Sequence, residues 1–332
     1  MDVKNTLKSQ ESKIPEHYQN SKRILRKQGY RFVGNHSCVK ICRWTRKSLV
    51  NEGVCYKEKF YGIKSHRCCQ MSPFLGCQNM CLHCWRPIEI DFGKVVGSDV
   101  DDVNEIIDGC IEEQRKLLTG FKGNDKVNKE KFKEAMEPNQ FAISLIGEPL
   151  LYSKIGELIE ELRKRNKTSF VVTNGLCPDV LKKLSYDGNL PTQLYISMNA
   201  PNKKLFDKWH QSKVKNAWEK YNESLKVMSK LDCRRVVRMT LVKGENMQGN
   251  MIKDYVDLIK KASPDFVEVK GFMSVGFSRK RFGYEKMPRI ELIREYADKI
   301  VDKLKGYEIL DEHERSAVVL LKKEGGVKRF IS

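Results

Sequence analysis

The sequence lacks any apolar run near the ~20 residues that a membrane span requires, so no membrane role is expected. Its opening residues, MDVKNTLKSQESK, hold no apolar stretch of the secretory kind, and a cytoplasmic protein is expected. It has no internal repeat and no low-complexity segment, which leaves an ordinary globular chain with an ample core. Acidic residues are scarce: 43 Asp and Glu stand against 62 Lys and Arg, a net charge of +19. The excess is spread along the chain rather than held in one tail. It suits a polyanionic partner such as nucleic acid, although a solubility surface gives the same balance. The cysteine count is eleven. An odd number without a secretory signal argues against a disulfide framework.

Periodicity divides the chain. Residues 1–30 form a polar, basic segment with a weak helical signal over Ser21–Gln28. Residues 31–70 carry Gly34, Gly53 and Gly62, short extended pieces and few apolar periods. Such a segment is expected to be irregular and to need fixing by something other than a core of its own. From about residue 70, strands and helices alternate. Strands are expected at Gln140–Leu145, Ser169–Thr173, Gln193–Ser197, Arg234–Val242, Phe266–Gly271 and, short and last, Tyr307–Leu310. Helices are expected at Asp101–Leu118, Lys154–Arg165, Asp179–Leu184, most of Lys203–Leu231, Lys253–Ala262 and Arg289–Leu304. This alternation predicts an α/β fold with a parallel sheet covered by helices. About six units predict a partial (βα)6-type barrel at 71–285, with residues 286–332 completing it. The site then belongs at the C-terminal strand ends. Residues 120–138 read as a polar, basic surface loop with a short helix.

Eight of the cysteines crowd between Cys38 and Cys84, and crowded cytosolic cysteines usually mean metal. Cys77, Cys81 and Cys84 stand in LGCQNMCLHCWRP. Three close thiolates suit an iron–sulfur cube with one iron left open. Zinc is the alternative, with His83 as a fourth ligand. Upstream, Cys42, Cys55 and Cys68 lie thirteen apart, twice. That spacing needs three separate turns converging on one object. A second open [4Fe–4S] cluster fits three ligands better than zinc, and three buried core thiols are the plain alternative. Cys38 and Cys69 stand beside this set as alternative ligands or core thiols.

The Cys77-x3-Cys81-x2-Cys84 spacing resembles the radical S-adenosylmethionine (SAM) superfamily. The residue before the last cysteine, commonly aromatic there, is His83 here. Gly147-Glu148-Pro149 resembles the superfamily's GGEP loop, with Ile146 replacing one glycine. The resemblance implies a [4Fe–4S] cluster, SAM, and SAM contacts from Gly147, Glu148, Pro149, Asn174, Ser197, Asn199 and Arg238. Each could equally be a turn residue, Asn174-Gly175 above all. The stretches VKICRWTRKSL, GVCYKEKFYGIKSHRCCQMSP, SLIGEPLLY, FVVTNG, TQLYIS and FVEVKGFMSVGFS resemble the archaeal 4-demethylwyosine synthase family from about residue 25 to 320.

That family resemblance implies a tRNA-modifying carbon–carbon lyase acting on N1-methylguanosine of tRNA-Phe, with pyruvate as co-substrate. It implies a SAM-derived radical that takes hydrogen from the N-methyl group, attack on pyruvate, loss of its carboxylate portion and ring closure. Pyruvate would be held by the open iron of the second cluster or by a lysine Schiff base. Lys57, two residues after Cys55, is the first candidate; Lys40 and Lys59 follow, each with a phosphate contact or a solvated charge as its plain alternative. The flavodoxin-like domain of eukaryotic members has no counterpart here, so an external ferredoxin or flavodoxin is implied, and a monomer is expected. Phe272, Met273, Phe277, Ser278, Arg279, Lys280 and Arg281 interleave aromatic and basic residues, as a stacked RNA loop would require, or as a packed barrel rim would. The basic 120–133 stretch is a second candidate contact. The competing readings are a radical SAM enzyme with an auxiliary cluster acting on another RNA or a peptide, and a zinc-stapled RNA-binding protein.

Overall fold

The computed structural model describes residues 16–88 and 100–331; residues 1–15 of the basic segment lie outside them. The chain runs α1 (Glu16–Lys27), β1 (Arg31–Val33), β2 (Ser37–Val39), α2 (Arg43–Leu49), α3 (Tyr56–Tyr61) and β3 (Cys68–Ser72). It continues with α4 (Val103–Leu118), α5 (Lys129–Ala135), β4 (Gln140–Ile143), α6 (Ile155–Lys164), β5 (Thr168–Thr173), α7 (Pro178–Tyr186) and β6 (Gln193–Met198). Then follow α8 (Lys203–His210), α9 (Ala217–Met228), β7 (Arg234–Leu241), α10 (Ile252–Ala262), β8 (Phe266–Gly271), α11 (Ile290–Val301), β9 (Tyr307–His313) and β10 (Val318–Lys323).

One ten-stranded sheet holds them in the order β1-β2-β3-β4-β5-β6-β7-β8-β10-β9. The run β3 to β8 is parallel and makes the six-unit partial barrel; the flanking pairs are antiparallel. Alternation along each strand sends one set of side chains to the helices and the other inward. Val171, Ile196, Val237 and Val269 meet the helical layer. Phe170, Tyr195, Val236 and Phe266 face inward, together with Val318 and Leu320 of β10.

Three expectations change. The segment 31–70 does not merely await a staple. Tyr56, Phe60, Tyr61 and Ile63 from α3 and its exit enter the barrel and form one apolar cluster with the inward strand residues. The segment also meets the last hairpin at the far edge of the open sheet. Lys59 pairs with Asp311 at 2.8 Å, Arg315 donates to the Glu52 carbonyl at 2.8 Å, and the His313 ring lies edge-on to Trp44. Second, the end of the chain is a hairpin, not one short strand, and β10 rather than β9 pairs with β8. Third, the stretch 203–231 breaks into α8 and α9, with Gln211 and Asn216 in the left-handed region at φ 42° and 53°. The 120–138 excursion packs Phe121, Phe132 and Met136 against Ile41 and Leu49, so it backs the upstream cysteine segment. Among the described residues no helix is long and apolar enough to cross a membrane.

Candidate active site and cysteine sets

A cavity of about 310 Å³ opens at the C-terminal ends of β3 to β8. Cys77, Cys81 and Cys84 line it from the loop after β3. Their loop is held from several sides. The Glu148 N–H donates to the Gly76 carbonyl at 2.8 Å, and Met80 and Leu82 donate to the His210 and Trp209 carbonyls. Arg281 reaches across to donate to the Leu82 carbonyl at 2.8 Å and to that of Cys84. Gly147 is required here. Its φ is +77°, and a Cβ would stand 2.2 Å from the Phe74 carbonyl oxygen.

All seven residues expected at the SAM end lie at this face, and all but Pro149 line the cavity. Glu148 is buried. Its Oε1 accepts from the Leu150 N–H at 3.1 Å and its Oε2 from the Asn174 N–H at 2.7 Å. Burial nevertheless pushes its carboxyl up to about 7, against the pull of those donors. Asn174 keeps its turn, accepting from the Leu176 N–H at 2.9 Å, and turns its amide nitrogen to within 3.7 Å of the Cys77 sulfur. Asn199 is largely spent on the scaffold: its Oδ1 accepts from the Thr240 N–H at 3.2 Å. The Ser197 carbonyl accepts from the Tyr221 hydroxyl. Arg238 lies 5.5 Å from the Tyr195 ring centre. His83 also lines the cavity, and burial first, then His210, lowers it to about 3, so it is neutral.

The structure brings Cys42, Cys55 and Cys68 within charge reach of one another. Cys42 and Cys55 occupy the N-cap positions of α2 and α3, and neither uses its side chain as a cap. Cys68 opens β3, half-buried. Cys69, the next residue, faces the helical layer with Phe141 and Cys110, while Cys38 is buried with Leu25, Tyr30 and Leu75. Neither shares the convergence. Among the described residues no group of three His, Cys, Asp or Glu side chains is placed to hold a metal ion. A cube distributes its thiolates over separate irons and requires wider spacing than one zinc. Burial raises the Cys55, Cys68 and Cys81 thiols, so loading either set with metal must release protons.

The three lysines fall in different places. Lys57 is buried, its ammonium 4.6 Å from the Tyr195 ring centre and 5.2 Å from that of Phe170. Burial, then Arg238, lowers its pKa. Lys40 is half-buried over the Tyr30 ring at 4.5 Å. Lys59 is exposed and spent on Asp311. Two inward residues of β8 escaped the sequence reading. Glu268 is fully buried, and Lys270 lines the cavity, donates to the Ser316 carbonyl at 2.8 Å and is lowered to about 8 by burial and then Arg238. Period-two alternation in FVEVKG places both on the inner face, which was the available signal.

The aromatic–basic stretch is split. Ser278 is buried, and Arg281 holds the cysteine loop; Arg279 and Lys280 remain exposed beside Tyr284 and Phe277.

Comparison with known proteins gives the same direction. Residues 71–259 match the family model for the radical SAM superfamily, and residues 261–323 match that for wyosine base formation. The SAM-dependent tRNA 4-demethylwyosine synthase of Pyrococcus abyssi is 47% identical over 94% of this chain and 90% of its own. That of Methanocaldococcus jannaschii is 37% identical over 91% and 95%. A solved structure described as TYW1 with a lysine–pyruvate adduct bound is 35% identical, with a TM-score of 0.82 over 96% of this chain and 98% of that one. A second, archaeal TYW1, is 32% identical at 0.76 over 96% and 100%. Superfamily membership brings SAM and a [4Fe–4S] cluster with it, and the thiol-lined cavity suits them. The chain belongs to the radical SAM tRNA 4-demethylwyosine synthases.

Proposed function

We propose that the chain condenses pyruvate with N1-methylguanosine beside the anticodon of tRNA-Phe, using SAM at the Cys77, Cys81, Cys84 end and a second [4Fe–4S] cluster at Cys42, Cys55 and Cys68. Once bound, SAM and the first cluster supply the one-electron chemistry that removes a hydrogen atom from the substrate methyl group. The observation that carries the reading is the place of Lys57. Its amine is buried against the inward Tyr195 and Phe170 rings, within charge reach of Cys55 and Cys68 and of Arg238, which lines the SAM cavity. A solved relative is described with a lysine–pyruvate adduct, which favours the same chemistry here.

In this reading the Lys57 amine attacks the keto carbon, water leaves, and an imine holds the three-carbon unit between the two cysteine sets. Arg238 and Lys270 offset the pyruvate carboxylate. Glu148 holds the amino group of SAM's methionine half, and Asn174 and Ser197 orient its sugar. The methylated base is splayed out of its loop into the cavity, while exposed Arg279 and Lys280 and the basic 120–133 stretch hold phosphates. An external ferredoxin or flavodoxin supplies the electron, and loss of the carboxylate portion makes the enzyme a carbon–carbon lyase.

The test is anaerobic reaction of the reconstituted protein with N1-methylguanosine tRNA-Phe, SAM, pyruvate and dithionite. The nucleoside should gain the mass of a two-carbon addition with ring closure. SAM cleavage with no change in nucleoside mass would overturn the substrate assignment. About eight irons per chain are expected; about four, or zinc in their place, would remove the second cluster.

A further inference from the structure

One buried charge has no part in that chemistry. Glu268, on β8, is fully buried, and a carboxylate taken out of water is costly unless its oxygens are used. Both are. Oε1 accepts from the Tyr61 hydroxyl at 2.8 Å and Oε2 from the Tyr56 hydroxyl at 3.1 Å. These tyrosines are the last and first residues of α3. Tyr56 also lies against the Arg238 guanidinium, and Arg238 stands opposite Glu268 in the β7–β8 register. Two barrel strands therefore grip both ends of a six-residue helix. Between the grips α3 carries Lys57, and Cys55 is its N-cap.

Ring packing does not explain the hydroxyls. The Tyr61 ring lies edge-on to Phe170 and Phe266, and Tyr56 edge-on to Phe60; phenylalanine would fill both places. What the hydroxyls add is direction. A helix turns about 100° per residue, so a small rotation of α3 would carry the Lys57 amine off its line. Two hydroxyls fixed to the two oxygens of one carboxylate set both the rotation and the height of the helix.

We propose that Glu268 is a positioning residue for the keto-acid end of the site, acting through Tyr56 and Tyr61 to fix where α3 presents the Lys57 amine. The proposal rests on the assignment of Lys57 as the amine that captures pyruvate.

The experiment uses the full chain, reconstituted with iron and sulfide, and reads borohydride-trapped pyruvate adduct by mass over a range of pyruvate concentrations. The double variant Y56F/Y61F removes both hydroxyls and keeps the rings and Glu268. It should raise the half-saturating pyruvate roughly tenfold or more, as expected for a misplaced reacting group. Iron should be largely retained, because Cys42 and Cys68 stand outside α3, and tRNA affinity should stay within about twofold, because the amine lies inside the barrel. Glu268→Gln keeps an acceptor and a donor for the two hydroxyls and should retain capture, whereas Glu268→Leu should lose it. If the leucine variant fails to fold, the tyrosine pair still decides. Unchanged half-saturation in Y56F/Y61F would overturn the proposal. So would a uniform fall in adduct, iron and tRNA binding, which marks a purely structural part, or a glutamine variant as weak as the leucine one. No adduct in the unsubstituted chain would overturn the assignment of Lys57, and this proposal with it.

Discussion

Glu148 is under two opposed influences: burial raises its carboxyl, and two backbone N–H groups lower it. Its folded pKa of about 7 exceeds the ~4.3 of an unfolded glutamate. The folded chain thus binds more protons between those values, and stability falls as pH rises through that window. In the proposed site the amino group of SAM donates to this carboxylate, which favours its ionised form. SAM should therefore bind the cluster-loaded protein more tightly as pH rises from 6 to 8, by up to about tenfold, and Glu148→Gln should flatten the profile. Equilibrium dialysis at stepped pH reads this, and a flat profile in the unsubstituted chain would remove Glu148 from the SAM contacts. The lysines offer a contrast. Lys57→Ala should abolish the trapped pyruvate adduct, while Lys59→Ala should leave it and cost at most about 1 kcal/mol in unfolding experiments, as expected for an exposed pair. The crowding of the two cysteine sets and the strand-end place of Glu148 were legible in the sequence because spacing and the strand-end loop are local signals. Glu268 and Lys270 were not, since their value comes from the residues they meet across the barrel. Tyr56 and Tyr61 lie more than 200 positions from Glu268 along the chain.

At the scale of elements, the turn after β8 does two jobs at once. Its outer side shows Arg279, Lys280 and Tyr284, and its inner side sends Arg281 to the carbonyls of the cysteine loop. Arg281→Met should leave the far-ultraviolet circular dichroism unchanged yet lower SAM cleavage about tenfold or more, because two half-buried carbonyls of the cysteine loop lose a charged donor. Iron retained with full SAM cleavage would show that the loop holds itself. Most strands and helices of the parallel core were legible from period and length. The elements missed have physical reasons. The stretch 311–317, DEHERSA, is polar, so the apolar run of β10 beyond it was not joined to the sheet. The break between α8 and α9 has no Pro or Gly to mark it, since Gln211 and Asn216 take left-handed conformations themselves. The apolar residues of α3 are too few to read as a core, and they become one only inside a barrel built from the rest of the chain.

For the whole molecule, a net charge of +19 makes association with tRNA a matter of counterion release. Affinity measured by filter binding should fall at least tenfold between 50 and 200 mM salt, on the order expected for a few phosphate contacts. A salt-insensitive affinity would mean that the charge serves solubility. The barrel's closure has a further consequence. From β1 to β9 neighbouring strands share backbone hydrogen bonds, but across the remaining gap the residues around α3 meet the far edge mainly through side chains: Lys59 to Asp311, Arg315 to Glu52, His313 to the Val54 carbonyl. Arg329 and the Ile331 N–H add bonds to the carbonyls of Phe60 and Tyr61. A ring welded by backbone pairing opens only when a strand is unzipped. This one has a seam, stitched by a handful of bonds, and its panel carries three of the thiols. A chain stripped of iron should then be cut by protease first within that panel, in residues 41–67, while the welded strands stay intact.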